Sequence, residues 1–294
     1  MKYELTNETK VVNGKTLFRI RALEDFSNVK AGDLGGWIES ESNLSQEGIC
    51  WVYGGAQVFG EARVSGEAQV FGGAQVFGSA QVFGSAWVYS SARVFGGAQV
   101  FGGAQVFGEA QVYDEVWVYD SAQVSDEARV SGRVRVSGEA RVYDSAQVSG
   151  RAQVYGRARV SGEAQVFGGA QVSGEARVSG EARVSGEAWV SGEARVYGRA
   201  QVFGEARVSG SAQVFGEAYI KSVADYIVVG PAQSSGRFTT AYIVENSIVV
   251  TTGCFTGTLE EFKLAIEKTH GHNPSYLKQY RGFANFIGEN FETL

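Results

Sequence analysis

A six-residue unit repeated without interruption constrains the fold of this chain more than any other feature. Every sixth residue from Val52 to Val214 is valine, and Ile220 continues the column. Alanine stands four positions after each valine, except at Val116 and Val134, and glycine, with a few Asp and Ser, stands two positions after it. A period of six does not match the 3.6 residues per turn of an α-helix, but it matches short strands joined by tight corners. The repeat therefore predicts an all-β coil.

Two irregularities in the repeat indicate how many units make one coil. Val116 and Val134 are 18 residues apart, and so are Asp126 and Asp144 in the glycine column. Three units per coil would stack both pairs directly, so we predict a triangular, parallel β-helix in which the 28 units make about nine coils. Because Asp tolerates positive φ better than most residues, the Asp substitutions also predict corners with positive φ.

The segments that flank the repeat predict caps over the two open ends of the coil. We expect residues 1–50 to form an N-terminal β cap and residues 51–230 to form the solenoid. In the cap, Asn13-Gly14 has the form of a hairpin turn. Ile38 and Leu44, six residues apart, begin the repeat before a two-residue phase slip.

Residues 231–294 depart from the repeat and predict a small α+β module. Runs rich in Val, Ile and Thr predict short strands, two of them joined at Glu245-Asn246. Thr258 and Glu261 have the spacing of a capping box, which opens an amphipathic helix ending near Thr269. Asn273 followed by Pro274 predicts the start of a second helix.

The unit V-x-G-x-A-x resembles the hexapeptide repeat of left-handed parallel β-helices, whose best-known members are acyltransferases. GDLGGWIE (32–39), WVYG (51–54) and TTGCFTGTLEEF (251–262) are similar to segments of β-solenoid proteins from bacteria, prophages and phages. Many of those proteins are labelled putative acyltransferase or polymer-forming. The resemblance implies left-handed coils. For function it implies either an acyltransferase-like enzyme or a phage-type accessory factor that binds a host component.

The distribution of histidine argues against acyl transfer. Hexapeptide acyltransferases generally use a histidine base beside protruding loops, but residues 51–218 contain no histidine and no interruption of the repeat. His270 and His272 flank Gly271 at a predicted helix end, where Gly at C′ and imidazole near the negative end of the helix dipole are favourable. The sequence therefore favours a non-enzymatic scaffold without catalytic residues, and the acyltransferase-like enzyme is the alternative.

A further alternative is capture of a small ligand, such as a nucleotide, by the C-terminal module. The stretch 230–237 is rich in Gly and Ser and ends at Arg237, which suits a phosphate, although it lacks the P-loop pattern. Cys254 and His270 are a candidate nucleophile and base, because thiolate chemistry needs a nearby imidazole. The candidate ligand site thus consists of Arg237, Cys254 and His270.

The column directly after each valine predicts an interaction surface. From Tyr53 to Tyr119, 11 of 12 of these residues are aromatic, whereas from Ser125 to Phe215, 10 of 16 are serine. Stacked rings stabilise one another, but so many rings at outward positions favour an interface. We therefore predict a homodimer or homotrimer that associates through aromatic ladders. The predicted interface residues are Phe59, Phe71, Phe77, Phe83, Tyr89, Phe95, Phe101, Phe107, Tyr113 and Tyr119.

Charge and composition restrict the other classes of partner. The net charge is −6, and residues 51–218 carry 14 Arg, no Lys and 17 acidic residues, so we expect no basic stripe and no nucleic acid partner. Two cysteines are too few for a disulfide framework. The residues after Met1 have no apolar signal segment, and no apolar run has membrane-spanning length. We expect a protein in the cytoplasm of a bacterial host, without cofactor, metal or membrane partner; besides itself, a host protein is the expected partner.

Overall fold

Three parallel β-sheets wind around a single column of stacked valines and alanines in the computed structural model, which describes residues 1–244 and 247–291. Two-residue strands recur every six residues from Trp51–Val52 to Tyr219–Ile220. Successive strands fall in turn on a ten-stranded, a thirteen-stranded and a nine-stranded sheet, which we call the ten-, thirteen- and nine-stranded faces. Each strand pairs with the strand one coil later, as Val88 does with Val106. The predicted triangular coil of 18 residues is confirmed, and its left-handed winding stays a prediction.

The core of the coils contains only the inward-facing columns. The column valines and the residues of the alanine column are all buried. Val116 and Val134 stack directly, since the strands that follow them pair through Val118 and Val136. Burial of each valine side chain stabilises the fold by about 1.5–3 kcal/mol, and this contribution accumulates from coil to coil.

The corners have the backbone conformation that the sequence predicts. Gly108 has φ +70° and Asp114 has φ +63°. An Asp at this position also adds a bond between coils, because Asp114 Oδ2 accepts a hydrogen bond from the N–H of Gly132 at 3.0 Å. The prediction of positive φ in the glycine column is confirmed.

The N-terminal cap extends the thirteen-stranded face. Strands Tyr3–Val12 and Lys15–Ala22 form an antiparallel hairpin, and Asn13 and Gly14 in its turn have φ +50° and +76°. Strand Leu34–Ile38 pairs antiparallel with the second strand and parallel with the solenoid strand Gln57–Val58. A short 3₁₀ helix, Glu41–Asn43, follows.

The join between cap and coils explains the glycines of GDLGGWIE. Ile38 pairs with Val58 and Leu44 bridges to Val64, a separation two residues longer than within the coils, which confirms the predicted phase slip. A Cβ on Gly35 would lie 2.6 Å from side-chain atoms of both Ile20 and Trp51. Glycine is therefore needed here for close packing at the end of the prism, the three-sided apolar core of the coils.

The C-terminal module consists of one antiparallel sheet and two helices. Its strands are Tyr226–Val229, Thr239–Val244, Ser247–Thr252 and Phe255–Thr258, preceded by the 3₁₀ helix Val223–Asp225. The first of these strands belongs to the module although the sequence boundary at residue 230 assigns it to the solenoid. The predicted connection at Glu245-Asn246 lies outside the described residues.

Two helices, α1 (Leu259–His270) and α2 (Pro274–Phe291), pack on one side of this sheet. The predicted capping box is present, with the N–H of Glu261 donating to Thr258 Oγ1 at 3.2 Å. The opposite side of the sheet covers the end of the coils, where the buried ring of Tyr242 contacts Phe215 at 6.1 Å between centroids. Burial raises the pKa of the Tyr242 hydroxyl, as expected for a phenol that closes an apolar prism.

Candidate interaction faces and terminal cleft

The aromatic column forms three separate ladders, one on each face. Within each ladder the rings stack with centroids 4.8 to 5.1 Å apart and interplanar angles of 1° to 5°. The ten predicted interface residues divide into Phe59, Phe77, Phe95 and Tyr113 on the thirteen-stranded face, Phe71, Tyr89 and Phe107 on the ten-stranded face, and Phe83, Phe101 and Tyr119 on the nine-stranded face. A single flat partner can therefore contact only one of the three sets.

The ladder rings are less exposed than their number in the sequence indicates. Stacking leaves nine of the ten predicted interface rings half-buried, and Phe59 is buried. Two tryptophans in the position before valine are more exposed, Trp87 at 42 % and Trp117 at 39 %. The exposed apolar surface of the first coils is thus concentrated at tryptophans beside the ladders.

Cations cover the aromatic rings on two of the three faces. On the thirteen-stranded face the Arg93 guanidinium lies 5.5 Å from the centroid of Phe77. On the nine-stranded face Arg135 lies 5.1 Å from the centroid of Trp117. No such cation lies over Trp87 on the ten-stranded face in the described part of the chain. A cation over a ring covers part of its apolar surface, so Trp87 is less covered than Phe77 and Trp117.

The ten-stranded face therefore carries an uncharged aromatic surface, which we call the aromatic patch. Trp87 contacts Phe71 edge-to-face at 6.2 Å, and Phe71 stacks on Tyr89 at 4.8 Å. On the three strands around Trp87, the residues directly before and after each valine are all glutamine or aromatic. The patch consists of Gln69, Phe71, Trp87, Tyr89, Gln105 and Phe107.

The same face carries a row of four arginines farther along the solenoid. Arg141 pairs with Arg159, Arg159 with Arg177, and Arg177 with Arg195. Strand spacing puts them about 4.8 Å apart along the rod. We call them the arginine row.

The expectation of no basic stripe is wrong, because charges that are dispersed in the linear sequence fall on one face every 18 residues. Writing the sequence in rows of 18 would have revealed it.

The arginine row lacks acidic partners within residues 1–244 and 247–291. All four side chains are exposed, and none of them makes an ion pair or a side-chain hydrogen bond there. Three glutamates at the neighbouring corners pair with corner arginines instead: Glu139 and Glu175 with Arg157 at 3.2 and 3.3 Å, and Glu181 with Arg199 at 3.3 Å. The row is a line of like charges that the described chain does not neutralise.

The C-terminal module contains a cleft of about 540 Å³ between its sheet and helices. The structure places all three candidate ligand residues, Arg237, Cys254 and His270, along this cleft. Apolar side chains such as Phe262 and Ile266 form much of the remaining wall. This size and lining are typical of sites for small molecules.

Several polar groups lie around the cleft. The His270 ring stacks on Tyr280 at 4.5 Å with an interplanar angle of 7°, and the Tyr280 hydroxyl lies 2.9 Å from Ser234 Oγ. No hydrogen bond joins Cys254 to His270 in the described residues. Gly271 after α1 has φ −55°, so it does not adopt the left-handed conformation expected at C′. Arg237, without an acidic partner among the described residues, gives the cleft a positive group above an apolar wall.

The described residues contain no group of three or more His, Cys, Asp or Glu side chains that could hold a metal ion. The stacked carboxylates at the corners bind the backbone, as Asp144 Oδ2 does by accepting from the N–H of Gly162 at 2.9 Å. Neither α1 nor α2, as far as the structure describes them, is long and apolar enough to span a membrane.

Comparison with known proteins agrees with this architecture. Residues 134–150, 152–168, 170–186, 176–192 and 200–216 match a family model described as YdcK Beta solenoid repeat. A segment of 60 residues is 40 % identical to the "Uncharacterized acetyltransferase YdcK" of Escherichia coli (strain K12). That match covers 18 % of this chain and 18 % of the relative, so the chain aligns with less than a fifth of the relative's length. The chain therefore has the fold of a hexapeptide-type β-solenoid, and these segments of it are similar to the YdcK repeat family.

Proposed function

We propose that this protein is a rigid, non-enzymatic scaffold that self-associates through the aromatic patch of its ten-stranded face. Trp87 carries the proposal, because it is 42 % exposed on a surface without charge. Soluble monomers rarely leave contiguous apolar surface open to water, and tryptophan is enriched where interfaces hold most of their binding energy.

The capped ends of the rod support lateral rather than end-to-end association. The N-terminal hairpin covers one end of the prism, and Tyr242 of the C-terminal sheet covers the other. The strands along the rod already pair with their neighbours, and the open outer strand of the thirteen-stranded sheet, Tyr3–Val12, carries Glu4, Glu8 and Lys10, charges that disfavour edge-to-edge pairing. Contact between copies is therefore left to the side chains on the faces.

Light scattering of the purified chain over a range of concentrations tests the proposal. We expect a homodimer that Trp87→Ser dissociates. Trp189→Ser is the matched control, because Trp189 is 37 % exposed on the nine-stranded face and should leave association unchanged. A monomer at high concentration, or equal effects of the two variants, would contradict the proposal.

Capture of a small anionic ligand is a second candidate function, favoured by the convergence of Arg237, Cys254 and His270 on one cleft. A nucleotide fits the combination of an apolar wall with a guanidinium that has no acidic partner in residues 1–244 and 247–291. We expect nucleoside phosphates to raise the melting temperature of the protein, and Arg237→Ala to abolish the shift.

A phage-type role, in which the scaffold binds a host component, would use the same exposed surfaces.

Acyl transfer is the alternative that the name of the Escherichia coli relative supports. Titration with acetyl-coenzyme A separates it from the scaffold. In a calorimetric titration, saturable binding that His270→Gln weakens would favour the enzyme. The absence of any heat of binding at high acetyl-coenzyme A concentration would favour the scaffold.

A further inference from the structure

The arginine row and the aromatic patch lie on the same flat face at different positions along the rod. In the order of the ten-stranded sheet, the patch occupies the second to fourth strands from the N-terminal end, and the row occupies the sixth to ninth. Like charges on directly paired strands destabilise a sheet. The four arginines therefore weaken the isolated chain unless another group approaches them.

Two copies that meet on this face can be related by a two-fold axis in either of two directions. An axis along the rod places copies parallel and sets the arginine row against the same row of the second copy. An axis along the strands places copies antiparallel and sets the row against the patch. Repulsion between eight guanidinium groups disfavours the parallel arrangement.

We infer that two copies of this chain pair antiparallel through their ten-stranded faces, with the arginine row of each copy on the aromatic patch of the other. This inference rests on the proposed self-association and specifies its geometry. The interface is isologous, so every contact occurs twice.

We take the register in which all ten strands of the two faces overlap. A two-fold axis at the centre of the ten-stranded sheet lies between strands Gln123–Val124 and Arg141–Val142. Because an axis along the strands preserves strand direction, each outward column faces the same column of the second copy. Trp87 then faces Arg177 of the second copy, and Gln105 faces its Arg159.

These facing pairs are chemically complementary. A guanidinium over the face of tryptophan is attractive, and the chain already uses this contact where Arg135 lies over Trp117. The amide oxygen of Gln105 accepts a hydrogen bond from an arginine. In the neighbouring column, the rings of Tyr89 and Phe107 face small residues, Ser179 and Ser161 of the second copy. Farther from the axis the column is aromatic at both ends of the face, so Phe71 faces Tyr197 and Tyr53 faces Phe215 of the second copy, and pairs of rings are also favourable.

The surroundings of the row favour a second copy over a polyanion. The corners on one side of the row carry Glu139, Arg157, Glu175 and Glu193, and those on the other side carry Asp144, Glu163, Glu181 and Arg199, so each side is negative on balance. A long polyanion would pass between two lines of net negative charge, whereas the neutral patch would not be repelled by them.

Gln105→Glu is the decisive variant. In the antiparallel pair each new carboxylate faces an arginine of the row, so we expect the dissociation constant of the dimer to fall about tenfold at low salt. In a parallel pair the two carboxylates would face each other and the dimer would weaken. Gln99→Glu, the matched control beside Trp117 on the nine-stranded face, should leave the dissociation constant unchanged.

A charge exchange gives an independent test. Arg159→Glu alone should weaken the dimer, and the double variant Gln105→Arg/Arg159→Glu should restore it, because the two substituted positions face each other in the antiparallel register. A wild-type dimer that Gln105→Glu weakens, or that the double variant fails to restore, overturns the antiparallel geometry while self-association stands. A monomer that binds a fluorescent single-stranded oligonucleotide, with binding lost in Arg159→Glu, overturns both.

Discussion

Gly108 and Asp126 occupy the same corner of consecutive coils, so close that a Cβ on Gly108 would lie 2.6 Å from the backbone nitrogen of Asp126. Gly216 has nearly the same φ, +66° against +70°, but a Cβ there would meet nothing within 4 Å. The two positions share the conformational demand for glycine and differ only in the approach of the next coil.

Alanine at these two positions should separate backbone strain from steric conflict. We expect Gly216→Ala to cost about 1–2 kcal/mol, the strain of positive φ alone. Gly108→Ala should lower the melting temperature considerably more, because the backbone of the next coil must move. Thermal unfolding followed by circular dichroism measures both, and equal losses would show that the coils can separate at little cost.

The stacked pair Val116 and Val134 should behave as one packing unit. Val116→Ala removes buried methyl groups and should destabilise the protein by about 1–2 kcal/mol. The loss in the double variant with Val134→Ala should differ from the sum of the single losses, because the two sites share a cavity. Ala98→Val, one coil earlier in the same column, should also destabilise, by overpacking. Additive losses in denaturant titrations would contradict direct stacking.

The buried amide of Asn43 should not tolerate a carboxylate. Its Nδ2 donates to the carbonyls of Gly60 and Ala62 at 2.9 and 2.8 Å, and its Oδ1 accepts from the N–H of Ser40 at 2.9 Å. Asn43→Asp places an oxygen against two carbonyls and should destabilise the cap by about 2–3 kcal/mol.

Asn28→Asp is the control for that substitution, because Asn28 Oδ1 only accepts a hydrogen bond from the Tyr53 hydroxyl at 2.8 Å at the surface. Hydrogen exchange of the cap strands measures both variants. Similar protection in the two would mean that the amide donors of Asn43 contribute nothing.

The cap should also weaken in acid through Glu39. Hydrogen bonds from the Lys15 ammonium and the Gly60 N–H hold the pKa of the Glu39 carboxyl below its ordinary value of 4.5. A lowered pKa stabilises the folded state above the ordinary value, and this stabilisation is lost as the pH falls through the lowered pKa. Glu39→Gln should therefore remove part of the acid sensitivity of cap unfolding between pH 7 and pH 2. An unchanged acid transition would show that the carboxylate does not couple to folding.

The coil and its corners could be predicted because they depend on nearest neighbours that repeat exactly. Val116 and Val134 show the coil length from spacing alone, and Asp114 shows the corner conformation. The arginine row was present in the same sequence but becomes visible only when residues are assigned to faces. The sequence overestimates the exposure of the aromatic rings, because stacking between coils covers both sides of each ring.

The terminal cleft could not be predicted from spacing. Arg237, Cys254 and His270 belong to a loop, a hairpin turn and a helix end, and only the packing of α1 and α2 on the sheet brings them to one cavity. The closeness of Gly35 to Trp51 likewise depends on how the cap meets the first coil.

The strict pairing of each strand with the one 18 residues later makes rod length and surface pattern separable. Deleting a whole coil shortens the rod and leaves every remaining side chain on its original face. Deleting a single hexad turns everything downstream by a third of a revolution, so Arg159 and its neighbours would exchange their face for another while the valine core stayed intact. Such a chain would keep the same packing between its remaining coils and present a different surface to every partner.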